Sequence, residues 1–346
     1  LAADFKLPYG INATLEGMLS KTLNNIVYSD INISGSNGTI NPALSGGKDL
    51  RPNYTNQRVN TKDFTNVILL SNSSRGYTYS LTTQLQKTFD FGLDVMAAYT
   101  NGASASLNDG ASSTALSNWE FVQIVNNPNN PDLTRSIFDI KHRVIGSLGY
   151  KVSYGKNDAF GTGISLFYAG TSGSPFTYLY NGDVNGDGAF SNDLIYIPNS
   201  MNEIKLVNLG SGANLVTPAQ QWAALDAYIN QDEYLRTRRG QYAERNGAET
   251  PWENRFDLRV SQDLGLTIKE KVHRLQLTFD VFNVGNLINK DWGRSYFVSN
   301  QAYQLITYTT SGGGGYTFKA PNNNKAYSIS DLGSRWQGQF GIRYLF

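Results

Sequence analysis

Apolar and polar residues alternate along much of this chain, most clearly at its end. In residues 335–346 every second position from Trp336 onward is aromatic, aliphatic or glycine, and the positions between, up to Arg343, are mostly arginine and glutamine. Because successive side chains of a β-strand point to opposite faces, this pattern predicts a strand with one apolar and one polar face. A tilted strand of about 9 to 11 residues can cross a bilayer. Residues 335–346 are therefore predicted to form the final strand of a membrane wall.

The same alternation recurs upstream and predicts about eight antiparallel strands in total. The other strands are expected near residues 9–20, 76–89, 91–99, 138–153, 160–170, 255–261 and 274–281. In a transmembrane barrel the apolar face of each strand meets lipid and the polar face lines the interior. The polar positions of the hairpin before the final strand, which would face that interior, are Arg255, Asp257, Arg259, Arg274 and Asp280.

The connections between these strands alternate between long and short. The long ones are expected at about residues 34–75, 101–137, 171–252 and 285–334. Short turns on one side and long loops on the other are typical of outer-membrane barrels, whose long loops are extracellular. This pattern places both ends of the chain on the periplasmic side. Within residues 171–252, Thr217, Pro218 and Gln220 form a capping box with proline at the first helical position, so a helix is expected there.

Aromatic residues stand at both ends of the hairpin 76–99. Phe89 and Phe91 flank its turn, and Tyr77, Tyr79 and Tyr99 lie at the far end. Rings at two levels are expected where a wall crosses the two headgroup layers of a membrane.

Composition excludes several classes of protein. The 346 residues contain no apolar run near the ~18 residues that a membrane helix needs, so any crossing must use strands. The 29 basic and 28 acidic residues are balanced, which argues against a nucleic-acid partner. The chain has no cysteine, so it has no disulfides or thiolate metal sites. We find no nucleophile or phosphate-loop motif and expect no enzymatic activity.

Four residues of one glycine-rich stretch have the spacing of a cation loop. Asp183, Asn185, Asp187 and Asp193 supply oxygen atoms at alternate positions, with Gly188 at the turn. Alternating carboxylate and amide oxygens are typical ligands of Ca²⁺. The stretch is therefore a candidate calcium site, and a plain Asp/Asn/Gly turn is the alternative.

The chain resembles two known signatures. Its end is similar to the assembly signal of bacterial outer-membrane barrels, with Gln339, Gly341, Tyr344 and Phe346 at the matching positions. Most of the chain resembles the C-terminal part of TonB-dependent outer-membrane receptors, specifically the Oar-like branch common in Bacteroidetes. The stretches that carry this resemblance are ENRFDLRVSQDL (253–264), LQLTFDVFNVGNLINKDWG (275–293), GDVNGDGAFSNDLIYIP (182–198), DEYLRTRRGQYAERNG (232–247) and the terminal GIRYLF.

This resemblance implies a barrel of about 22 strands with a plugged lumen, in the outer membrane of a Gram-negative bacterium. The chain has too few strands for such a wall and no plug domain, and it opens without Met or a signal peptide, so it is interpreted as a mature piece or fragment. The expected partners are outer-membrane lipid, the barrel assembly machinery, the missing plug and strands, TonB acting through that plug, and surface lipoproteins. In the family, the polar residues named above would contact the plug or line the path. Mutual pairing within the wall is the alternative.

The function implied is energised uptake or surface binding of a nutrient. Two alternatives stay open. One is a structural or interaction barrel that transports nothing, and the other is a secreted soluble all-β protein such as a glycan hydrolase. An eight-stranded barrel closed by this chain alone would favour the first alternative, although such long loops would be unusual on it.

Overall fold

The computed structural model describes residues 1–268 and 271–345. Within these residues the main sheet has ten strands, of which nine follow one another as antiparallel neighbours. We number these nine in chain order as β1 Ala2–Leu7, β2 Ile11–Lys21, β3 Tyr77–Thr88, β4 Leu93–Ser106, β5 His142–Tyr154, β6 Phe160–Thr171, β7 Glu253–Ile268, β8 Lys271–Phe282 and β9 Gln337–Leu345. The short strand Thr134–Arg135 pairs with the end of β4. We call the nine long strands of this sheet the wall.

Strand β1 changes the predicted start of the wall. Tyr9 was expected to begin the first strand, but it lies in the turn between β1 and β2 with a φ of 64°. The amino group of Leu1 donates to the carbonyl of Gly17 at 2.8 Å, partway along β2. The first residue therefore lies within the height of the wall, and the prediction that it lies at the periplasmic turns is wrong. Strand β2 ends at Lys21, close to the predicted end of this strand at residue 20.

The strand register sorts side chains onto two faces across the whole wall. Val260 of β7 lies opposite Phe279 of β8, and the next position pairs Arg259 with Asp280. Directly opposed residues of an antiparallel pair share a face, so the apolar and polar sets stay separate from strand to strand. Nothing covers the apolar face among the described residues, and Phe340, in the middle of β9, is 64% exposed. The predicted alternation is therefore observed as one continuous apolar surface and one polar surface.

Aromatic rings mark both ends of the apolar face. At the short-turn end, Phe89 and Phe91 lie 5.3 Å apart. At the opposite end, Tyr77 stacks on Tyr79, and towards the same end of β6 and β7 the rings of Tyr168 and Phe256 lie 4.8 Å apart. The rings thus form two belts, as expected for a wall that spans a bilayer.

The wall is open within the described residues. Strand β1 pairs only with β2, and β9 pairs only with β8. No hydrogen bond between β1 and β9 closes a barrel in residues 1–268 and 271–345.

The long connections form a second layer, which we call the cap. It comprises residues 22–76, 107–141, 172–252 and 283–336. A four-stranded sheet of Ala248–Glu249, Pro175–Asn181, Ala302–Thr309 and Gly315–Phe318 lies at its centre. Three strand pairs surround it: Asn25–Asp30 with Ile68–Ser73, Tyr196–Ile197 with Gln241–Tyr242, and Tyr296–Phe297 with Ser328–Ile329. The helices are α1 Ala115–Glu120, α2 Pro218–Gln231, α3 Val284–Ile288 and α4 Asp331–Ser334.

The hydrophobic core of the molecule lies in the cap. Side chains from distant connections meet there, for example Leu44, Leu225 and Ile306. Helix α2 begins where its capping box predicted, with Thr217 and Gln220 bonded reciprocally. No helix within the described ranges combines the length and apolar character needed to cross a membrane. The cap is thus a folded unit with its own core.

Candidate ligand-binding cap

The candidate calcium loop is folded around its own backbone. Both carboxylate oxygens of Asp183 accept N–H groups, from Gly186 at 2.6 Å, Asp187 at 3.1 Å and Gly188 at 2.8 Å. The left-handed φ of 91° at Gly188 suits a glycine at this sharp turn. Asp183 therefore acts in this structure as the acceptor that closes the turn.

Asp193 ties the same loop to a buried arginine. One of its carboxylate oxygens accepts the N–H of Val184 at 2.7 Å, and the other accepts Nη1 of Arg51 at 2.9 Å. The Nε of Arg51 donates to Asp49 at 3.0 Å, and all three charged side chains are buried. Removing one partner of such a buried pair leaves an uncompensated charge, which is strongly destabilising. Arg51 was not singled out from the sequence, because no local pattern links it to Asp193.

Asp187 completes the cluster together with two amide side chains. It accepts Nδ2 of Asn185 at 3.1 Å and Nδ2 of Asn192 at 2.8 Å. The Oδ1 atom of Asn192 is buried without a hydrogen-bond partner in the described part of the chain. The four residues of the candidate loop are thus brought together, but mainly as acceptors of N–H groups.

Burial dominates the electrostatics of this cluster. It raises the pKa of Asp183 to about 6 and that of Asp193 to about 7. Neighbouring carboxylates add to the rise, whereas Arg51 opposes it at Asp193. Among the described residues, no group of three or more His, Cys, Asp or Glu side chains is arranged to hold a metal ion. Calcium binding by Asp183, Asn185, Asp187 and Asp193 therefore stays a prediction.

A first cavity, of about 670 Å³, opens in the cap between residues 108–123 and residues 299–304. We call it the amide cavity, because its lining is rich in Asn, Gln and Ser side chains. Leu179 of the central sheet and Arg245 also line it. Phe121, which is 52% exposed, contributes an aromatic ring to the lining.

A second cavity, of about 630 Å³, lies where the cap meets the edge of the wall. We call it the rim cavity. Its lining includes Trp252 and Tyr234 together with the carboxylates of Asp232, Glu233 and Glu249. This lining is much more charged than that of the amide cavity.

Glu249 links the cap to the wall at the rim cavity. Its Oε1 atom lies 2.5 Å from Nη1 of Arg135 and 2.5 Å from Nζ of Lys141, which precedes β5. Burial alone would raise the pKa of Glu249, but the hydrogen bonds and charges of Lys141 and Arg135 outweigh it and hold that pKa below its usual range. The junction is therefore held by ionised groups at neutral pH.

The predicted interior residues lie on the polar face of the wall and largely pair with each other. Arg259 contacts Asp280 at 2.5 Å, and Arg255 contacts Asp257 at 2.9 Å. Arg274 lies on the same face near the short-turn end, opposite Gly265. This arrangement agrees with the alternative of mutual pairing within the wall, and the role of these residues in lining a path stays a prediction.

The residues of the proposed assembly signal lie on β9, the last strand of the sheet. Gln339 pairs with Asp280 and Gly341 with Thr278 on the polar face. Tyr344 lies on the apolar face, with its hydroxyl 2.5 Å from Nδ1 of His273. Phe346 lies outside the described residues.

A wall with one apolar face, one polar face and two aromatic belts defines the chain as a membrane-spanning β-sheet protein of the barrel class. The comparison with protein families specifies this class. The chain belongs to the family described as outer membrane beta barrel domain, whose model matches residues 5–317. It is thus a protein of the outer membrane of a Gram-negative bacterium, and the alternative of a secreted soluble protein is wrong. No curated protein and no solved structure matches the chain.

Proposed function

We propose that this chain belongs to a TonB-dependent outer-membrane receptor that takes up or binds a nutrient at the cell surface. In this receptor the wall would cross the membrane and the cap would be extracellular. The observation that carries the proposal is the open wall, whose first and last strands have no second neighbour among the described residues. Unpaired backbone groups are not tolerated in lipid, so β1 and β9 must meet further strands. A larger, plugged barrel like that of the resembling receptors would supply them.

The cap supports a receptor more than a passive wall. In outer-membrane barrels the long connections are extracellular. Here they bury a hydrophobic core and enclose two cavities of about 670 and 630 Å³. These volumes lie within the usual range of ligand sites, about 300 to 1,000 Å³.

Coupling to TonB provides the direct test. The native polypeptide would be purified from outer membranes in detergent and passed over an immobilised periplasmic domain of TonB. We expect the native polypeptide to bind and a polypeptide restricted to residues 1–346 not to bind, because the receptors that the chain resembles contact TonB through the plug. A native polypeptide that shows no binding would favour the structural or interaction barrel that transports nothing.

The open wall can be tested separately with cysteine pairs, since the chain has no native cysteine. Pairs scanned between β1 and β9 should not form disulfides within one polypeptide. The control pair Leu85→Cys and Ala97→Cys, which face each other on β3 and β4, should form one. A β1–β9 disulfide in a monomer would mean that this chain closes a small barrel alone, and the receptor proposal would fail.

A further inference from the structure

We propose that the amide cavity binds a neutral oligosaccharide. This inference rests on the proposed receptor function and names the class of its ligand. The cavity is framed by three of the four connections of the cap, since Asn108, Arg245 and Gln301 all line it. Residues from separate connections can meet only in the folded cap, so the cavity is a feature of its tertiary structure.

The charged groups of the cavity are already satisfied by the protein. Asp109 accepts the hydroxyls of Ser106 and Ser136, each at 2.6 Å. The guanidinium of Arg245 donates to Oγ1 of Thr134 at 2.7 Å and to carbonyl oxygens that include that of Leu107 at 2.5 Å. The carboxylate of Asp109 and the guanidinium of Arg245 are thus engaged mainly by groups of the protein itself. Recognition of a charged ligand is therefore disfavoured.

The polar side chains that stay free are neutral. Gln123, Ser299, Asn300 and Gln301 line the cavity, and their side chains have no hydrogen-bond partner in the described part of the chain. Amide side chains donate and accept hydrogen bonds, as do the hydroxyl groups of a sugar. A site that offers such groups discriminates against ligands that lack the matching hydroxyls.

Two of these residues have an uncommon backbone conformation. Asn300 and Gln301 have φ values of 53° and 50°. The left-handed region is disfavoured for residues other than glycine, and glutamine is less often found there than asparagine. Strained residues of this kind cluster at ligand sites, where the surrounding fold fixes them in advance. The exposed ring of Phe121 adds an apolar surface that suits the C–H face of a sugar ring.

A peptide fits these observations less well. An extended peptide binds most simply by adding a strand to an open sheet edge. The strand Ala302–Thr309, which reaches the cavity, already pairs with Pro175–Asn181 on one side and Gly315–Phe318 on the other. The strand Pro175–Asn181 is covered on its other side, where the backbone N–H of Tyr180 donates to the carbonyl of Asp193 at 2.9 Å. No free cation or carboxylate of the described lining is placed to hold a peptide terminus.

The test is calorimetry on the native polypeptide in detergent. The neutral probes are maltohexaose, xylohexaose and mannohexaose, and the competing classes are represented by oligogalacturonate and penta-alanine. We expect binding of at least one neutral probe, weakened tenfold or more by Phe121→Ala and by Gln301→Gly. Glycine accepts the left-handed φ without strain, so the Gln301→Gly variant reports the loss of the side chain. The matched controls Phe64→Ala and Asn214→Ala, exposed in the cap and outside the cavity lining, should bind like the wild type.

The inference would be overturned if no neutral probe binds, or if the cavity variants bind the neutral probe as tightly as the control variants do. It would also be overturned if the cavity variants weaken only the binding of oligogalacturonate or penta-alanine. Binding to the TonB domain is measured on the same preparations. Retained TonB binding without oligosaccharide binding would refute the ligand class and leave the receptor function intact. Loss of TonB binding in the wild type would refute the receptor function itself.

Discussion

Replacing Leu277 by arginine tests whether the apolar face of the wall meets lipid. Leu277 lies opposite Ile342 on β9, and its neighbour Phe279 lies opposite Phe340. Phe340 is midway between Trp336 at one end of this face and Tyr344 at the other. With a rise of about 3.3 Å per residue and a strand tilt of about 40°, Leu277 lies about 5 Å from the midplane.

This depth sets the size of the effect. Arginine costs about 2 to 4 kcal/mol at the midplane and about 0 to 1 kcal/mol near the interfaces, in an apolar band about 25 Å tall. We therefore expect Leu277→Arg to cost about 2 kcal/mol, close to a 30-fold shift in the folding equilibrium. The control is Gln276→Arg on the polar face, where Asp263 already accepts the native side chain at 2.8 Å. An arginine there should cost about 0.5 kcal/mol or less.

The assay is urea unfolding of the native polypeptide in phosphatidylcholine vesicles, followed by tryptophan emission and by migration on unheated gels. The expected result is a lower urea midpoint for Leu277→Arg alone. Equal midpoints for Leu277→Arg and Gln276→Arg would refute the assignment of the two faces, because only a lipid-facing position penalises the charge.

Three further predictions concern the cap, its junction and the last strand. If the acidic loop binds calcium, calorimetry with calcium chloride should show a binding isotherm that Asp183→Asn removes, and an unchanged or absent isotherm would discard the site. The pKa of Glu249 is lowered in the folded protein, so the stability that this carboxylate contributes is present above the ordinary pKa of 4.5 and is lost as pH falls through the lower folded pKa. Limited proteolysis of the wild type should therefore show the cap opening at acid pH. The Glu249→Gln variant should show no such acid-dependent opening. A β-carbon at Gly341 would lie 2.5 Å from Oγ1 of Thr278, whereas a β-carbon at Gly338 would have its nearest atom at 3.7 Å. Gly341→Val should therefore lower the amount of assembled protein in outer membranes several-fold. The control Gly338→Val should lower this amount much less.

The wall could be predicted from the sequence because its two environments repeat at every second residue. Lipid and water lie on opposite sides along each strand, so the alternation continues through β7, β8 and β9 without help from distant residues. Strand β1 was missed although Ala2–Leu7 also alternates. Its turn was the reason: Pro8 and Gly10 are ordinary turn residues, but Tyr9 between them adopts a left-handed conformation that tyrosine rarely takes.

The cap could be predicted only where its signals are local. The capping box of α2 and the turn at Gly188 involve residues a few positions apart, and both are found. The contact between Arg51 and Asp193 joins residues 142 positions apart. The parallel pairing of Pro175–Asn181 with Ala302–Thr309 joins residues 125 or 126 positions apart. Short-range periodicity contains no information about such pairs. The core of the cap and its cavities could therefore not be predicted from the sequence and were found only in the structure.

This difference between the two layers bears on how a ligand site can be maintained. The wall fixes its strands by backbone hydrogen bonds, so side chains on its polar face can vary while the register stays the same. The amide cavity has less support of this kind, because segments of three separate connections have to meet to form its lining. Its shape depends on buried contacts of its lining residues, such as that of Arg245 with the carbonyl of Leu107. A buried arginine satisfied mainly by carbonyl oxygens, like Arg245, is costly to desolvate unless its geometry is well matched. Such contacts restrict the cap to one arrangement, and that restriction is what allows a loop-built cavity to be ready for its ligand before the ligand arrives.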